Sequence, residues 1–258
     1  MITSSRSLRV LAVLVLAAVT QAACVSADGR KPLKQTPQKE TAAKYNIQLG
    51  TAYLQQGNYN LARDKLERAL KQNPRDPDVH TSLGLLYDRT GDVKSADQHF
   101  REALRLAPDK PDVSNNYAIY LCKNGRADEG VERFVEVAAN KYYGTPEMAL
   151  TNAGVCLRGA QRLDEAEAKF LAAIKARPNY SEATVQLASL YLDRSQVAEA
   201  RKVVDTYLGA FRPNADVLFA AVTVARAAKD RVAEEKHSRA LRLEFPESAQ
   251  ARALKRGS

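Results

Sequence analysis

A pattern of small and large apolar residues that recurs about every 34 residues constrains the fold of this chain more than any other sequence feature. In its clearest copy, small residues at Gly84 and Ala96 allow two helices to approach closely, and Gly91 marks a turn between them. The remaining landmarks fill the gap between the helices or end the second one: Leu83, Tyr87, Phe100, Ala103 and Pro108. A single helical hairpin cannot bury its apolar face alone, so the pattern predicts a stack of hairpins.

This unit resembles the helix–turn–helix signature of the tetratricopeptide repeat (TPR). The resemblance predicts an all-α fold, a right-handed TPR superhelix (α-solenoid) of about six helix-turn-helix repeats. The third copy is looser, with Gly130 where the other copies have alanine, and the sixth is degenerate. The predicted repeats span residues 43–76, 77–110, 111–146, 147–180, 181–213 and 214–246. Residues 247–258 are predicted to be a tail or a short capping helix.

Residues 1–23 have the pattern of a secretory signal, with Arg6 and Arg9 before a short apolar run and small residues at the end. Cys24 follows directly and resembles the acylated cysteine of bacterial lipoproteins, although Gln21 replaces the usual aliphatic residue. Several acyl chains on Cys24 would give stable membrane anchoring. Val25 in place of aspartate favours the outer membrane by resemblance to bacterial sorting rules. The alternative is an ordinary signal peptide followed by a chance cysteine.

Residues 24–40 are predicted to be the acylated cysteine and a flexible tether, because they are polar and contain proline and glycine without a helical apolar stripe. The first helix is expected to begin near Thr41 as its N-cap.

The chain is basic, with 39 Lys plus Arg against 30 Asp plus Glu and a net charge of +9. Such a surface suits nucleic acid, an anionic membrane or an acidic protein segment. Export argues against nucleic acid, and we interpret the charge mainly as a solvated helical surface with partly paired side chains.

Cys122 and Cys156 lie late in the first helices of repeats three and four. First helices of successive TPR repeats lie side by side, so the two cysteines could face each other and form a disulfide in the oxidising periplasm. The alternative is two independent small core residues.

Catalytic and metal-binding patterns are absent from the sequence. His80, His99 and His237 are scattered and lack the spacing of a metal site, and no glycine-rich phosphate loop occurs. We therefore expect no enzymatic activity, no cofactor and no small-molecule substrate.

The remaining candidate for function is a binding surface. The first helices of a TPR array line a concave groove that holds peptides. Apolar residues in the groove favour an apolar partner segment, and Lys123 and Arg158 suit an acidic one. The alternative for each apolar residue is packing between helices. The predicted groove positions are Ile47, Thr51, Leu54, Thr81, Leu85, Asp88, Asn115, Ile119, Lys123, Thr151, Val155 and Arg158.

Two segments resemble those of the type IV pilus biogenesis and stability lipoproteins, the PilF/PilW family. Residues 114–122, SNNYAIYLC, are similar to that family's NNYG-F-LC segment, with Ala118 in place of the usual glycine. Tyr143-Gly-Thr-Pro146 and the following NAGVC are similar to its Y-TP…NAG-C segment. The resemblance extends over the lipoprotein signal, the repeats and the two cysteines.

The resemblance implies a pilotin, an outer-membrane lipoprotein that binds the type IV pilus secretin and supports its localisation and assembly. Loss of such a protein is expected to remove surface pili and twitching motility. A generic TPR adaptor for another envelope assembly is an alternative with the same fold and anchor. A cytoplasmic TPR protein associated with an enzyme or nucleic acid is a second alternative, which the export signal disfavours.

Overall fold

The computed structural model describes residues 37–256. The predicted signal peptide, Cys24 and the tether up to residue 36 lie outside the described residues. The described part consists of helices joined by short turns. They are α1 (Pro37–Gln55), α2 (Tyr59–Gln72), α3 (Pro77–Thr90), α4 (Val93–Leu106), α5 (Pro111–Lys123), α6 (Ala127–Ala139), α7 (Pro146–Gly159), α8 (Leu163–Ala176), α9 (Ser181–Asp193), α10 (Val197–Ala210), α11 (Ala215–Ala227), α12 (Arg231–Glu244) and α13 (Ala249–Arg256). None of them is both long and apolar enough to cross a membrane.

Consecutive helices pack in pairs, from α1 with α2 to α11 with α12. The first helix of each pair also contacts the first helix of the next pair, and α13 packs against α11 and α12. This is the arrangement of an α-solenoid, in which each hairpin covers the apolar face of its neighbour. The predicted fold class is confirmed.

A glycine on the first helix allows the close approach of the two helices in three of the hairpins. A Cβ added at Gly154 would lie 2.5 Å from the ring of Phe170, and one at Gly84 would lie 3.0 Å from Phe100. Both rings are fully buried. The third hairpin keeps the small pair but exchanges its members between the helices: alanine (Ala118) stands on α5 and glycine (Gly130) on α6.

The turn inside every hairpin contains one residue in the left-handed conformation. Gly57, Gly91 and Gly125 take this position in the first three repeats, with φ of 77°, 82° and 78°. The later repeats place side chains there, which costs about 1 kcal/mol or more at each position. These residues are Gln161, Ser195 and Lys229, with φ of 62°, 59° and 56°. The tertiary packing thus imposes one turn geometry even where glycine is absent.

The first helix begins earlier than predicted. α1 starts at Pro37, so Thr41 lies inside the helix and its predicted N-cap role is wrong. Proline suits the first helical position because its fixed φ is helical and its missing N–H would be unpaired there. Glu40 adds an acid to the first turn, where it complements the helix dipole.

Arginines beside the turns link neighbouring hairpins: Arg126 and Arg162 precede the second helix of their hairpins, and Arg194 follows the first helix of the next. Arg126 Nη1 donates to Asp97 Oδ1 of the preceding hairpin at 2.7 Å, and Arg162 pairs with Asp128 in the same way. Arg194 pairs with Asp164 and Glu167. Part of the chain's positive charge is therefore paired with acidic residues of neighbouring repeats.

Candidate functional site

In a TPR solenoid the first helices of the hairpins line the concave face. The most exposed apolar residues among the predicted groove positions lie on the first helices of repeats three and four. Ile119 on α5 is 44% exposed and Val155 on α7 is 45% exposed. They border a cavity of about 610 Å³ that is also lined by Phe134, Lys123, Asn152 and both cysteines. We call this the disulfide cavity. Its apolar walls and single cationic rim residue suit a large apolar side chain near an acidic group.

Cys122 and Cys156 are bonded in the structure, with their Cα atoms 5.5 Å apart. The bond joins α5 to α7 at the wall of the disulfide cavity. A Cβ added at Gly130 would lie 2.4 Å from Cys122 Sγ and 2.9 Å from the carbonyl oxygen of Ala118. Glycine at this position therefore makes room for the sulfur, which explains why the third repeat departs from the usual alanine.

The polar groove residues around this cavity already have partners. Lys123 Nζ donates to both oxygens of Asp88, at 3.0 and 2.9 Å. The two asparagines form a contact between α5 and α7, with Asn152 Nδ2 donating to Asn115 Oδ1 at 3.4 Å. The remaining amide groups of this pair are suited to hydrogen bonds with a peptide backbone.

Arg158 connects α7 to α9 across the groove. Its Nη1 donates to Gln186 Oε1 at 3.3 Å and its Nη2 donates to Ser189 Oγ at 2.9 Å. The guanidinium also pairs with Asp193. Arg158 is therefore held by three residues of α9, and its side chain keeps 26% exposure.

Two predicted groove residues do not line the groove. Thr81 is buried and donates its hydroxyl to the carbonyl oxygen of Pro77 at 2.9 Å. Thr151 is 2% exposed and donates to the carbonyl oxygen of Glu147 at 2.8 Å. Each hydroxyl donates a hydrogen bond to a carbonyl oxygen one turn earlier in its own helix, which lets a threonine pack in the interior. Their prediction as groove-lining residues is corrected.

Three apolar groove residues in the first two repeats belong partly to the core. Ile47 and Leu54 are half-buried and pack against the cluster around Leu66, and Leu85 packs against the cluster around Phe100. Thr51, also half-buried, lies with its Oγ1 3.3 Å from Ser82 Oγ. The groove of repeats one and two is therefore more tightly packed than that of repeats three and four.

A second cavity, which the sequence analysis did not predict, lies at the C-terminal end of the concave face. It has a volume of about 450 Å³ and is lined by residues of α9, α11 and α13, including Leu192, Phe219, Thr223 and Ala253. We call it the C-terminal cavity. Val185, Ser189 and Leu192 repeat the register of the groove positions on α7, which is the signal that could have revealed it.

The N-terminal end of the stack exposes apolar residues that the sequence analysis also missed. Tyr45 and Leu49 on α1 are 64% and 48% exposed. Their counterparts one repeat later, Val79 and Leu83, are 0% and 1% exposed because they pack on the preceding hairpin. Within the described residues no hairpin precedes α1, so this face is left open.

Two of the three histidines are neighbours rather than scattered. His80 Nδ1 lies 3.0 Å from His99 Nδ1, and His80 Nε2 lies 3.1 Å from the carbonyl oxygen of Pro74. Burial, together with the nearby His80, lowers the pKa of His99 to about 4. Within the described residues no group of three or more His, Cys, Asp or Glu side chains is placed to hold a metal.

The carboxylate of Asp97, whose pKa is shifted, takes part in the ion pairs between repeats. Burial alone would raise its pKa, but hydrogen bonds from Tyr117, Arg126 and Arg101 outweigh burial and lower the pKa below its ordinary value. Two repeats later Glu167 occupies the position of Asp97, and burial together with a hydrogen bond to Glu167 raises the pKa of Tyr191 to about 12. Both shifts therefore reflect packing between hairpins and do not mark a reactive centre.

A tetratricopeptide-repeat family model matches residues 47–111 and 118–181, half of the chain, and a second one matches residues 157–221. The chain belongs to the tetratricopeptide-repeat family.

More specifically, the chain is homologous to the type IV pilus assembly protein PilF of Pseudomonas aeruginosa. The two are 26% identical over 237 residues, which is 92% of this chain and 94% of PilF. The solved structure of P. aeruginosa PilF is similar to this fold with a TM-score of 0.63 at 24% identity, covering 86% of this chain and 100% of that one. The structure of PilW, a widely conserved type IV pilus biogenesis factor, gives a TM-score of 0.63 at 26% identity, covering 82% of this chain and 97% of PilW.

Proposed function

We propose that this chain is a type IV pilus biogenesis factor that acts as a pilotin for the pilus secretin. Similarity to PilF along 92% of the chain supports the role in pilus biogenesis. The observation that carries a binding role is the disulfide cavity, where exposed Ile119 and Val155 lie on neighbouring first helices. An open apolar cavity on a solenoid's concave face is suited to a protein segment, and the proposed role needs no chemistry.

In this proposal the secretin is the partner and the groove recognises it. Thr51, Asp88, Asn115, Lys123 and Arg158 supply polar contacts. Ile119 and Val155 supply apolar contact. The bond between Cys122 and Cys156 keeps α5 and α7 in register, so the cavity walls are fixed before the partner arrives. Such preorganisation lowers the entropic cost of binding.

The proposal places the protein at the periplasmic face of the outer membrane, anchored by acyl chains on Cys24. The polar residues that follow Cys24 would lift the solenoid away from the lipid headgroups. Recognition of the secretin near this membrane would support its localisation and its assembly into a multimer. Loss of the protein would then abolish surface pili and twitching motility.

Deletion of the gene followed by complementation tests this function. Wild-type chain is expected to restore secretin multimers, pili and twitching, whereas Cys24→Ala is expected to leave the protein out of the outer membrane and to restore them poorly. Full localisation and assembly with Cys24→Ala would refute the lipid anchor. Normal pili and secretin multimers in the deletion strain would refute the pilotin role and favour a TPR adaptor for another envelope assembly.

A further inference from the structure

Two apolar cavities on the face formed by the first helices differ in the charge at their rims. The disulfide cavity, between α5 and α7, has Lys123 as its charged lining residue. The C-terminal cavity, between α9, α11 and α13, has Asp216 as its charged lining residue. Lys123 keeps a 56% exposed side chain despite its ion pair with Asp88, and Asp216 is exposed while it accepts a hydrogen bond from Gln250.

Arg158 lies between the two cavities. It starts on α7, one helical turn after Val155 of the disulfide cavity, and donates to Ser189, which lines the C-terminal cavity. Its hydrogen bond and ion pair with α9 hold the guanidinium in place between the two cavities. The two cavities are therefore separate recesses along one groove.

We propose that the groove binds one extended segment of the partner protein through two large apolar side chains, one in each cavity. The rim charges specify their neighbours: an acidic residue beside the side chain in the disulfide cavity, and a basic residue beside the side chain in the C-terminal cavity. This inference rests on the proposed function, and it extends the binding site from repeats three and four to the C-terminal helix α13.

The geometry of the solenoid sets the spacing of the two side chains. Neighbouring helices pack about 10 Å apart, and the cavities are separated by two repeats, so their centres are about 20 Å apart. An extended chain advances about 3.3 Å per residue, so the two apolar side chains are expected about six residues apart. Residues six apart in an extended chain point to the same side, which allows both to enter the groove.

Synthetic peptides test this arrangement on the full chain. The probe is a fluorescein-labelled peptide of about 14 residues with two phenylalanines six positions apart, glutamate beside one and lysine beside the other, in a Gly/Ser/Gln background. Fluorescence anisotropy compares it with peptides that carry one phenylalanine, a spacing of three, or two glutamates. We expect the two-anchor peptide to bind about tenfold or more tightly than the one-anchor peptide, and more tightly than the other two.

Variants of the chain test whether the second phenylalanine of the peptide, its second apolar anchor, binds in the C-terminal cavity. Ala253→Phe fills the C-terminal cavity from the exposed side of α13, and it should remove the advantage of the second phenylalanine. Thr223→Phe, which reaches the cavity from α11, gives an independent test if the first variant folds poorly. Ala198→Phe is the matched control, because Ala198 is exposed on α10, outside the residues that line either cavity.

Equal binding of one-anchor and two-anchor peptides, or an unchanged advantage in folded Ala253→Phe and Thr223→Phe, would overturn the two-cavity inference. The proposed function is judged separately by secretin assembly in cells. If Ile119→Glu abolishes secretin assembly while folded Ala253→Phe does not, the partner uses the disulfide cavity alone, so the inference fails and the function survives.

Discussion

Gly130 and Cys122 are placed so that no larger residue than glycine fits beside the sulfur: a Cβ at Gly130 would lie 2.4 Å from Cys122 Sγ. The glycine on α6 thus accommodates the disulfide that joins α5 to α7. One residue that departs from the repeat pattern is explained by a link between two repeats.

Gly130→Ala should lower the free energy of unfolding by about 1–3 kcal/mol, because the methyl group overpacks against Cys122 and the carbonyl of Ala118. Chemical denaturation of the purified chain measures the change. Gly159→Ala is the control, since nothing lies within 4 Å of a Cβ at Gly159. The cost of Gly130→Ala should shrink when both cysteines are replaced by alanine, and an unchanged cost would mean that the sulfur is not the obstacle.

The disulfide should be present in protein exported to the periplasm, with no free thiol at Cys122 or Cys156. Its loop has a sequence separation of 34 residues. Replacing both cysteines by serine should destabilise the fold by about 3–4 kcal/mol on the chain-entropy model. Mass spectrometry without reductant, followed by thermal unfolding of the double variant, checks both points. Two free thiols under oxidising conditions would contradict the first.

Leu49 and Leu83 occupy the same position in successive repeats, so they make a matched pair. Leu83→Ala should cost about 2–5 kcal/mol because it empties a buried site between hairpins. Leu49→Ala should cost less than about 1 kcal/mol because Leu49 is 48% exposed at the open end of the stack. Urea unfolding compares the two. Similar costs would show that the N-terminal end is covered in solution.

Stability should fall as the pH drops from about 6.5 toward 4. The folded-state pKa of His99 is lowered to about 4 by burial and by His80, whereas the unfolded chain takes up this proton near 6.5. Stability from this group is therefore complete above pH 6.5 and is lost on acidification. The lowered pKa of His237, also due mainly to burial, acts in the same direction.

The part of this loss that His99 contributes should be about 1–2 kcal/mol, less than the full shift implies because the ring is partly exposed. Unfolding measured at several pH values should give a smaller slope for His99→Gln than for wild type. An identical slope in the two proteins would exclude His99 as a source of the pH dependence.

The fold class followed from the sequence because the landmarks at Gly84, Ala96 and Phe100 have a steric role that recurs at the same spacing in most of the copies. The start of α1 could not be predicted from the sequence, because the polar stretch there has no apolar stripe to indicate that a helix begins at Pro37. Register also predicts a groove position for Ile119 and Val155, and the exposure of both residues is compatible with that position.

Other residues of the groove show what register alone cannot resolve. Thr81 and Thr151 are buried although Asn115 and Val185 share their register, and their hydroxyls bond to their own helices. Leu85 packs against the cluster around Phe100, so Leu85→Glu is expected to destabilise the fold and would not test binding alone. The neighbouring His80 and His99 arise from two helices that only the folded hairpin brings together.

Capture of the secretin by the chain carrying Ile119→Glu tests the central claim most directly. Ile119 borders the disulfide cavity and is 44% exposed, so glutamate should leave helical content and melting temperature nearly unchanged while placing a charge that an apolar partner must desolvate. Ala198→Glu, on the exposed side of α10, is the control. Pull-down from detergent extracts should recover about tenfold less secretin with Ile119→Glu than with wild type or Ala198→Glu. Undiminished recovery with a folded Ile119→Glu chain would contradict the account and place partner recognition outside this cavity.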